Sequence, residues 1–238
     1  MALDMQSIYI LASGGSRAME QLDTTTNNIA NANTDGFKKL LIKEMSQRLD
    51  ENGGDANHLF VFPRFQETLI DMKQGPLRQT GNPLDFAIEG NGYFLVQKGG
   101  EKILTRSGHF FLNEEGYLVD KNGNFLLDDR DKPIKLDSRK RLDLGEDGTI
   151  YQQGEAIAKL QIKGFAKIEP MGDTYYLAKG SERPATYKLK QGFLEGSNLN
   201  PIVEMTSLIT AQKRFEMYSN MIKSLEQLNQ KTNEIGKA

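Results

Sequence analysis

Cysteine and tryptophan are both absent from the 238 residues. Without cysteine there can be no disulfide, no thiolate metal ligand and no thiol nucleophile. Histidine is scarce as well. His58 sits beside a polar stretch, His109 lies in a strand-like run, and neither has a partner at metal-ligand spacing. No apolar run approaches the roughly 18 residues that span a bilayer. Neither charge sign dominates: 30 basic side chains against 32 acidic ones give a formal net charge of −2. A nucleic-acid stripe or an anionic-membrane surface needs a basic excess, and even the segment from Pro201 to Ala238 carries only five basic residues against four acidic. The opening MALDMQSIYILASGGSR puts Asp4 ahead of a short apolar run with no basic leading region, so no cleavable secretory signal is expected.

Motifs of chemistry are lacking too. Asp120, Asn122 and Asn124 imitate the start of a calcium loop, but Phe125 stands where such a loop requires glycine and Asp131 where a bidentate glutamate is usual. EGNGYF leads into a strand, whereas a dinucleotide fingerprint opens a helix. The aromatic groups Phe60, Phe62, Phe65 and Phe110, Phe111 are expected to fill a core. Together these readings predict no enzyme, no cofactor and no metal.

What is present is a pair of helical ends enclosing a glycine-punctuated β-rich middle. Near the N-terminus Ile8, Leu11, Gly15, Ala18, Leu22, Thr25 and Ile29 step alternately by three and four residues. Near the C-terminus Leu208, Ala211, Phe215, Tyr218, Ile222, Leu225 and Asn229 do the same. That alternation is the coiled-coil period. Ordering a helix of about 25 residues costs on the order of 25–50 kcal/mol of backbone entropy. Full burial of a large apolar side chain returns about 1.5–3 kcal/mol, and Gly15, Ala18 and Thr25 are small. Both ends are therefore expected to be loosely ordered in a free subunit and to fold when other chains surround them. In the middle, FAIEG, YFLVQ and KILTR read as strands, with turns at Gly90–Gly92, Gly99–Gly100, Glu115–Gly116 and Asn122–Gly123. A second strand group is expected from Leu142 to Ile168, while Glu51–Asn57 reads as an exposed loop.

The fold class is then α+β, with N- and C-terminal helices paired as a coiled coil and a central antiparallel β-rich domain. The expected partition is an N-terminal axial helix with an Asn-rich motif (1–37), an irregular connecting segment (38–82), a central β domain (83–193), and a C-terminal motif with an axial helix (194–238).

The Asn-rich motif NNIANANTDGFKK, Asn27 to Lys39, resembles the N-terminal signature of the bacterial flagellar rod and hook proteins. LEGSNLNPIVEMTSLITAQKRFEMYSNMI, Leu194 to Ile222, resembles the C-terminal block of the same family. Gln74–Gln97 and Thr105–Leu127 resemble its core. ASGGSRAMEQL, Ala12 to Leu22, points toward the proximal-rod members. The resemblance implies a structural subunit of the basal-body rod that transmits torque; a distal-rod or hook-type subunit or a transient cap or adaptor is the alternative, and a cell-wall hydrolase a more distant one. It also implies terminal helices packed as an inner tube, with small residues such as Ser16 and Ala18 admitting neighbouring subunits. Asn27, Asn28, Asn31, Asn33, Gly36 and Phe37 would support the tube junction. The implied partners are copies of itself, other rod proteins and the type III export apparatus, with no nucleic acid and no membrane insertion. The implied place is the rod within the periplasmic space.

Overall fold

The computed structural model describes residues 2–47 and 62–235. The loop expected at Glu51–Asn57, together with His58 and Phe60, lies outside the described residues.

Helix α1 (Ala2–Ala30) carries Gly14 and Gly15 in its interior, each costing about 1 kcal/mol against alanine. Its hydroxyl side chains bond back to the preceding turn, Thr25 Oγ1 to the Gln21 carbonyl and Thr26 Oγ1 to that of Leu22. Such a helix is held by packing more than by propensity. Helix α2 (Pro201–Ile235) has a better start. The Asn200 side-chain oxygen accepts from the N–H groups of Ile202 and Val203 at 3.0 and 3.4 Å. Pro201 occupies the first helical position, where its missing N–H costs nothing.

Among the described residues sixteen strands run between the helices: β1 (Leu40–Gln47), β2 (Phe62–Ile70), β3 (Leu77–Gln79), β4 (Phe86–Gly90), β5 (Tyr93–Lys98), β6 (Glu101–Thr105), β7 (Phe111–Leu112), β8 (Leu118–Val119), β9 (Phe125–Leu126), β10 (Leu142–Leu144), β11 (Thr149–Gln152), β12 (Glu155–Lys159), β13 (Ile162–Gly172), β14 (Tyr175–Arg183), β15 (Tyr187–Gln191) and β16 (Phe193–Glu195). The α+β class thus holds. Segment 38–82, expected to be irregular, contains β1, β2 and β3. Strand β3 escapes a periodicity search because it is three residues long and takes its partner, β16, from the far end of the central region.

Two compact units result. One contains both helices and the β1–β2 ribbon; the other contains residues 31–39 and 70–199. Within the second unit β13, β14, β6 and β5 pair in a closed ring, and β9, β8 and β7 extend from β5. All these pairings are antiparallel. Phe86, Phe94 and Phe110 are fully buried at its centre, with ring centroids 5.8 Å (Phe86 to Phe110) and 5.4 Å (Phe94 to Phe110) apart. Phe111, next in sequence, alternates outward and is exposed.

Gly92 joins β4 to β5 with φ +126°, and a Cβ there would lie 2.6 Å from Ile162 Cγ2 and 3.2 Å from Ala185 Cβ. Gly92→Val is expected to cost the β-rich unit on the order of 2–4 kcal/mol, from left-handed strain plus overpacking. Thermal unfolding of the full chain measures this, and an unchanged Tm would contradict it.

Candidate assembly interface

Within the helical unit α1 and α2 lie antiparallel. Asn28 near the end of α1 meets Glu204 near the start of α2, and further along Gly14 and Gly15 meet Tyr218. A Cβ on Gly14 would come 2.6 Å from Tyr218 Cε1, so the absent side chain makes room for the ring. The small residues of α1 therefore admit the chain's own second helix, whereas Ser16 faces outward. Gly15, Ala18 and Thr25 are buried; Ile8, Leu11, Leu22 and Ile29 are half-buried. On α2, Ala211 is buried, and Leu208, Tyr218, Ile222 and Leu225 are half-buried. Phe215 stands apart from this pattern at 38% exposed.

The four asparagines of the Asn-rich motif separate. Asn28 is buried, Asn31 half-buried, and Asn27 and Asn33 are exposed. Asn28 uses both ends of its amide. Its oxygen accepts from Leu40 N at 2.9 Å, and its nitrogen donates to Leu40 O at 3.0 Å and to Glu204 Oε2 at 3.2 Å. One side chain thus ties α1 to the start of β1 and to α2. Asn31 closes a turn, its carbonyl accepting from Thr34 N and its side-chain oxygen from Thr34 Oγ1.

A second set of apolar residues was missed by the search for one seam. Ile202 is 75% exposed, Tyr9 57% exposed, and Met205, Ile209, Met217, Met221 and Leu228 also point to solvent. Large exposed apolar groups in this number mark an interaction surface. The signal was available: all of these but Tyr9, which is on α1, fall outside the three-four steps of α2, which therefore carries more apolar side chains than one seam can hold. Leu11, Met217, Met221 and Leu225 line an open groove of about 700 Å³, with Lys213, Glu216, Asn220 and Ser224 at its rim.

Gly36, Phe37 and Lys38 are buried in the β-rich unit. Gly36 has φ +75° and donates its N–H to the Glu195 carbonyl at 2.6 Å. Lys38 Nζ donates to Glu195 Oε1 at 2.6 Å and to the Lys73 carbonyl at 2.7 Å. Arg106 Nη1 donates to Glu195 Oε2 at 2.9 Å and to the Ile88 carbonyl, and its guanidinium lies 5.2 Å from the centre of the Tyr93 ring. Two cations thus share one buried carboxylate. Sequence reading found the positions of Gly36 and Phe37 but not the ionic cluster, because Glu195 and Arg106 belong to no common motif.

Burial holds the Lys38 amine below its ordinary 10.5, with Glu195 opposing the shift. Burial also pushes the Tyr93 phenol up to about 12 and the Tyr176 phenol higher still. The unfolded chain therefore binds more protons at Lys38 in the window below pH 10.5, and that contribution to stability rises with pH there. The tyrosines act oppositely: their contribution is complete below pH 10 and is lost as pH rises through their folded values. The stability gap between Lys38→Met and the parent chain is accordingly expected to change as pH goes from 8 to 10, in favour of the parent. Chemical unfolding across that range reads it out, and a constant gap would overturn it.

The remaining candidates are structural. His109 Nδ1 lies 2.6 Å from Oδ1 of the buried Asp85, which also accepts from Thr80 and Asn82. Asp120 Oδ1 accepts from the N–H groups of Asn122 and Asn124, and Oδ2 from Tyr175 and the Asn124 amide, so its oxygens are engaged by the hairpin. Among the described residues no group of three or more His, Asp or Glu side chains is placed to hold a metal ion, and no helix is long and apolar enough to cross a membrane.

Three family profiles match the chain: "Flagella basal body rod protein" over residues 8–38, "Flagellar hook protein FlgE/F/G D1 domain" over 87–152, and "Flagellar basal body rod FlgEFG protein C-terminal" over 190–235. The flagellar basal-body rod protein FlgF of Mesorhizobium japonicum is 33% identical over 88% of this chain and 89% of its own length. FlgF of Caulobacter vibrioides is 32% identical over 94% of each. The rod protein FlgG of Bacillus subtilis is 28% identical over 95% of this chain and 97% of its own. With profile matches at both helical ends and in the β-rich middle, and relatives that run nearly its whole length, the chain belongs to the flagellar basal-body rod proteins, a structural and non-enzymatic family.

Proposed function

We propose that this rod subunit assembles through its helical unit, with α1 and α2 paired as an antiparallel coiled coil whose outward apolar residues are covered by copies of itself and by other rod proteins. The single observation that carries this reading is the exposed set Tyr9, Ile202, Met205, Ile209, Met217, Met221 and Leu228. A protein that worked alone would leave it facing water. The seam residues named above hold the pair together, and Asn28 with Leu40 and Glu204 fixes its register. Gly36 and Phe37 support the tube junction. The proximal rod is the position we infer, on the likeness of Ala12–Leu22 and on the matches to FlgF relatives at 32–33% identity. Torque transmission, delivery by the type III export apparatus and a place in the periplasmic part of the rod complete the reading. Helical ends that order on assembly suit a chain exported unfolded.

The double variant Ile209→Asp/Met217→Asp tests it in cells whose own copy has been removed. Two carboxylates placed in a dry helix interface are expected to lower incorporation into basal bodies at least about 100-fold and to abolish swimming, while thermal unfolding of the β-rich unit in the purified chain stays as in the parent. Normal swimming would overturn the assembly surface.

A further inference from the structure

We propose that Met217 and Met221 are a peroxide-sensitive modification site that governs whether the helical unit can be incorporated. The inference rests on the assembly reading above and adds regulation to the same surface. The two residues are one helical turn apart on α2, each is 44% exposed, and both line the groove with Leu11 of α1 and Leu225. Methionine suits such a groove because its unbranched thioether adapts to an irregular partner surface. The same thioether is oxidisable, and the exposure of both side chains leaves it within reach of a small peroxide.

The step balances with a hydroperoxide as co-reactant. The sulfur lone pair attacks one oxygen of hydrogen peroxide, the S–O bond forms as the O–O bond breaks, and the departing hydroxide takes the proton from the new S–OH group, leaving the sulfoxide and water. The sulfide is oxidised to a sulfoxide and the peroxide is reduced. The product carries a strong dipole where an apolar partner must pack, and burying it without a hydrogen bond is expected to weaken association at least about tenfold per residue. Thiol-dependent sulfoxide reductases reverse the change. Met72 differs, since its sulfur accepts a hydrogen bond from Tyr93 Oη at 3.0 Å. Met72 and Met171 both belong to the β-rich unit. Once a partner covers the groove, Met217 and Met221 are out of reach, so the site acts on free subunits only.

Hydrogen peroxide applied to the purified full chain and to isolated basal bodies, with oxidised methionines mapped by mass spectrometry, tests the accessibility. Met217 and Met221 are expected to oxidise at least ten times more slowly in basal bodies, and equal rates would overturn the proposal. Two variants test the consequence in cells. Met217→Leu/Met221→Leu removes both oxidisable sulfurs at conserved volume, and its incorporation is expected to fall at least about ten times less under peroxide than that of the parent, equal losses overturning the proposal; Met217→Gln/Met221→Gln supplies a sulfoxide-like dipole and is expected to lose incorporation about 100-fold. If the glutamine variant swims normally while Ile209→Asp/Met217→Asp does not, the methionine site is wrong and the assembly surface stands. If both swim normally, the assembly reading fails and takes the methionine site with it.

Discussion

Replacing Glu195 with glutamine is expected to destabilise the β-rich unit by about 3–5 kcal/mol. Glu195 is 1% exposed, and its carboxylate accepts from Lys38 Nζ, Arg106 Nη1 and the Gly75 N–H. Glutamine preserves the shape but removes the negative charge that both buried cations contact. It also turns an N–H₂ toward groups that need an acceptor. The companion variant separates charge balance from simple loss of contacts. Lys38→Met conserves the apolar stem and leaves Glu195 and Arg106 as a matched pair, so its cost is expected to stay below about 2 kcal/mol. Urea unfolding of the two full-length variants gives both numbers at neutral pH. Equal losses would mean that the cluster acts as an ordinary hydrogen-bond network, indifferent to its charge ratio.

Gly36→Ala is expected to cost on the order of 3 kcal/mol. Part of this is the left-handed conformation, φ +75°, worth about 1–2 kcal/mol to any residue with a Cβ. The larger part is steric: a Cβ at Gly36 would fall on the backbone of Arg106 and Ser107, which cannot step aside as a side chain could. Gly123 supplies the control. Its φ is +79°, nearly the same, and a Cβ there meets nothing within 4 Å. Gly123→Ala should therefore show the conformational cost alone, and the difference in Tm between the variants isolates the contact. If the two variants melt together, the Gly36–Lys38 segment does not fit the β-rich unit as tightly as described.

Much of this could be read from the sequence because its causes are local. The glycine turns are an example: Gly99, Gly100, Gly116 and Gly123 all have positive φ and sit between the strands that alternation predicts. The stepping of Ala18, Thr25 and Ala211 likewise corresponds to burial between the helices. Strands β3, β15 and β16 were not legible, since each is short or takes its partner from a distant stretch. The outward apolar set on α2 was visible as composition but not as a surface, because one stripe was sought where the helix carries two.

By itself the sequence determined that this is a helix-ended, β-centred chain without cysteine and so without thiol chemistry, with its family signatures in order. Periodicity and turn geometry depend on residues within a few positions of one another, and these need no partner to be read. The tertiary structure alone decided that Lys38, Arg106 and Glu195 share a buried site, that Asn28 rather than its three neighbours in the motif is enclosed, and that Phe215 looks outward. Those outcomes depend on which side chains lose their water, and desolvation is a property of the folded neighbourhood: Lys38 and Glu195 are 157 residues apart along the chain and 2.6 Å apart in space.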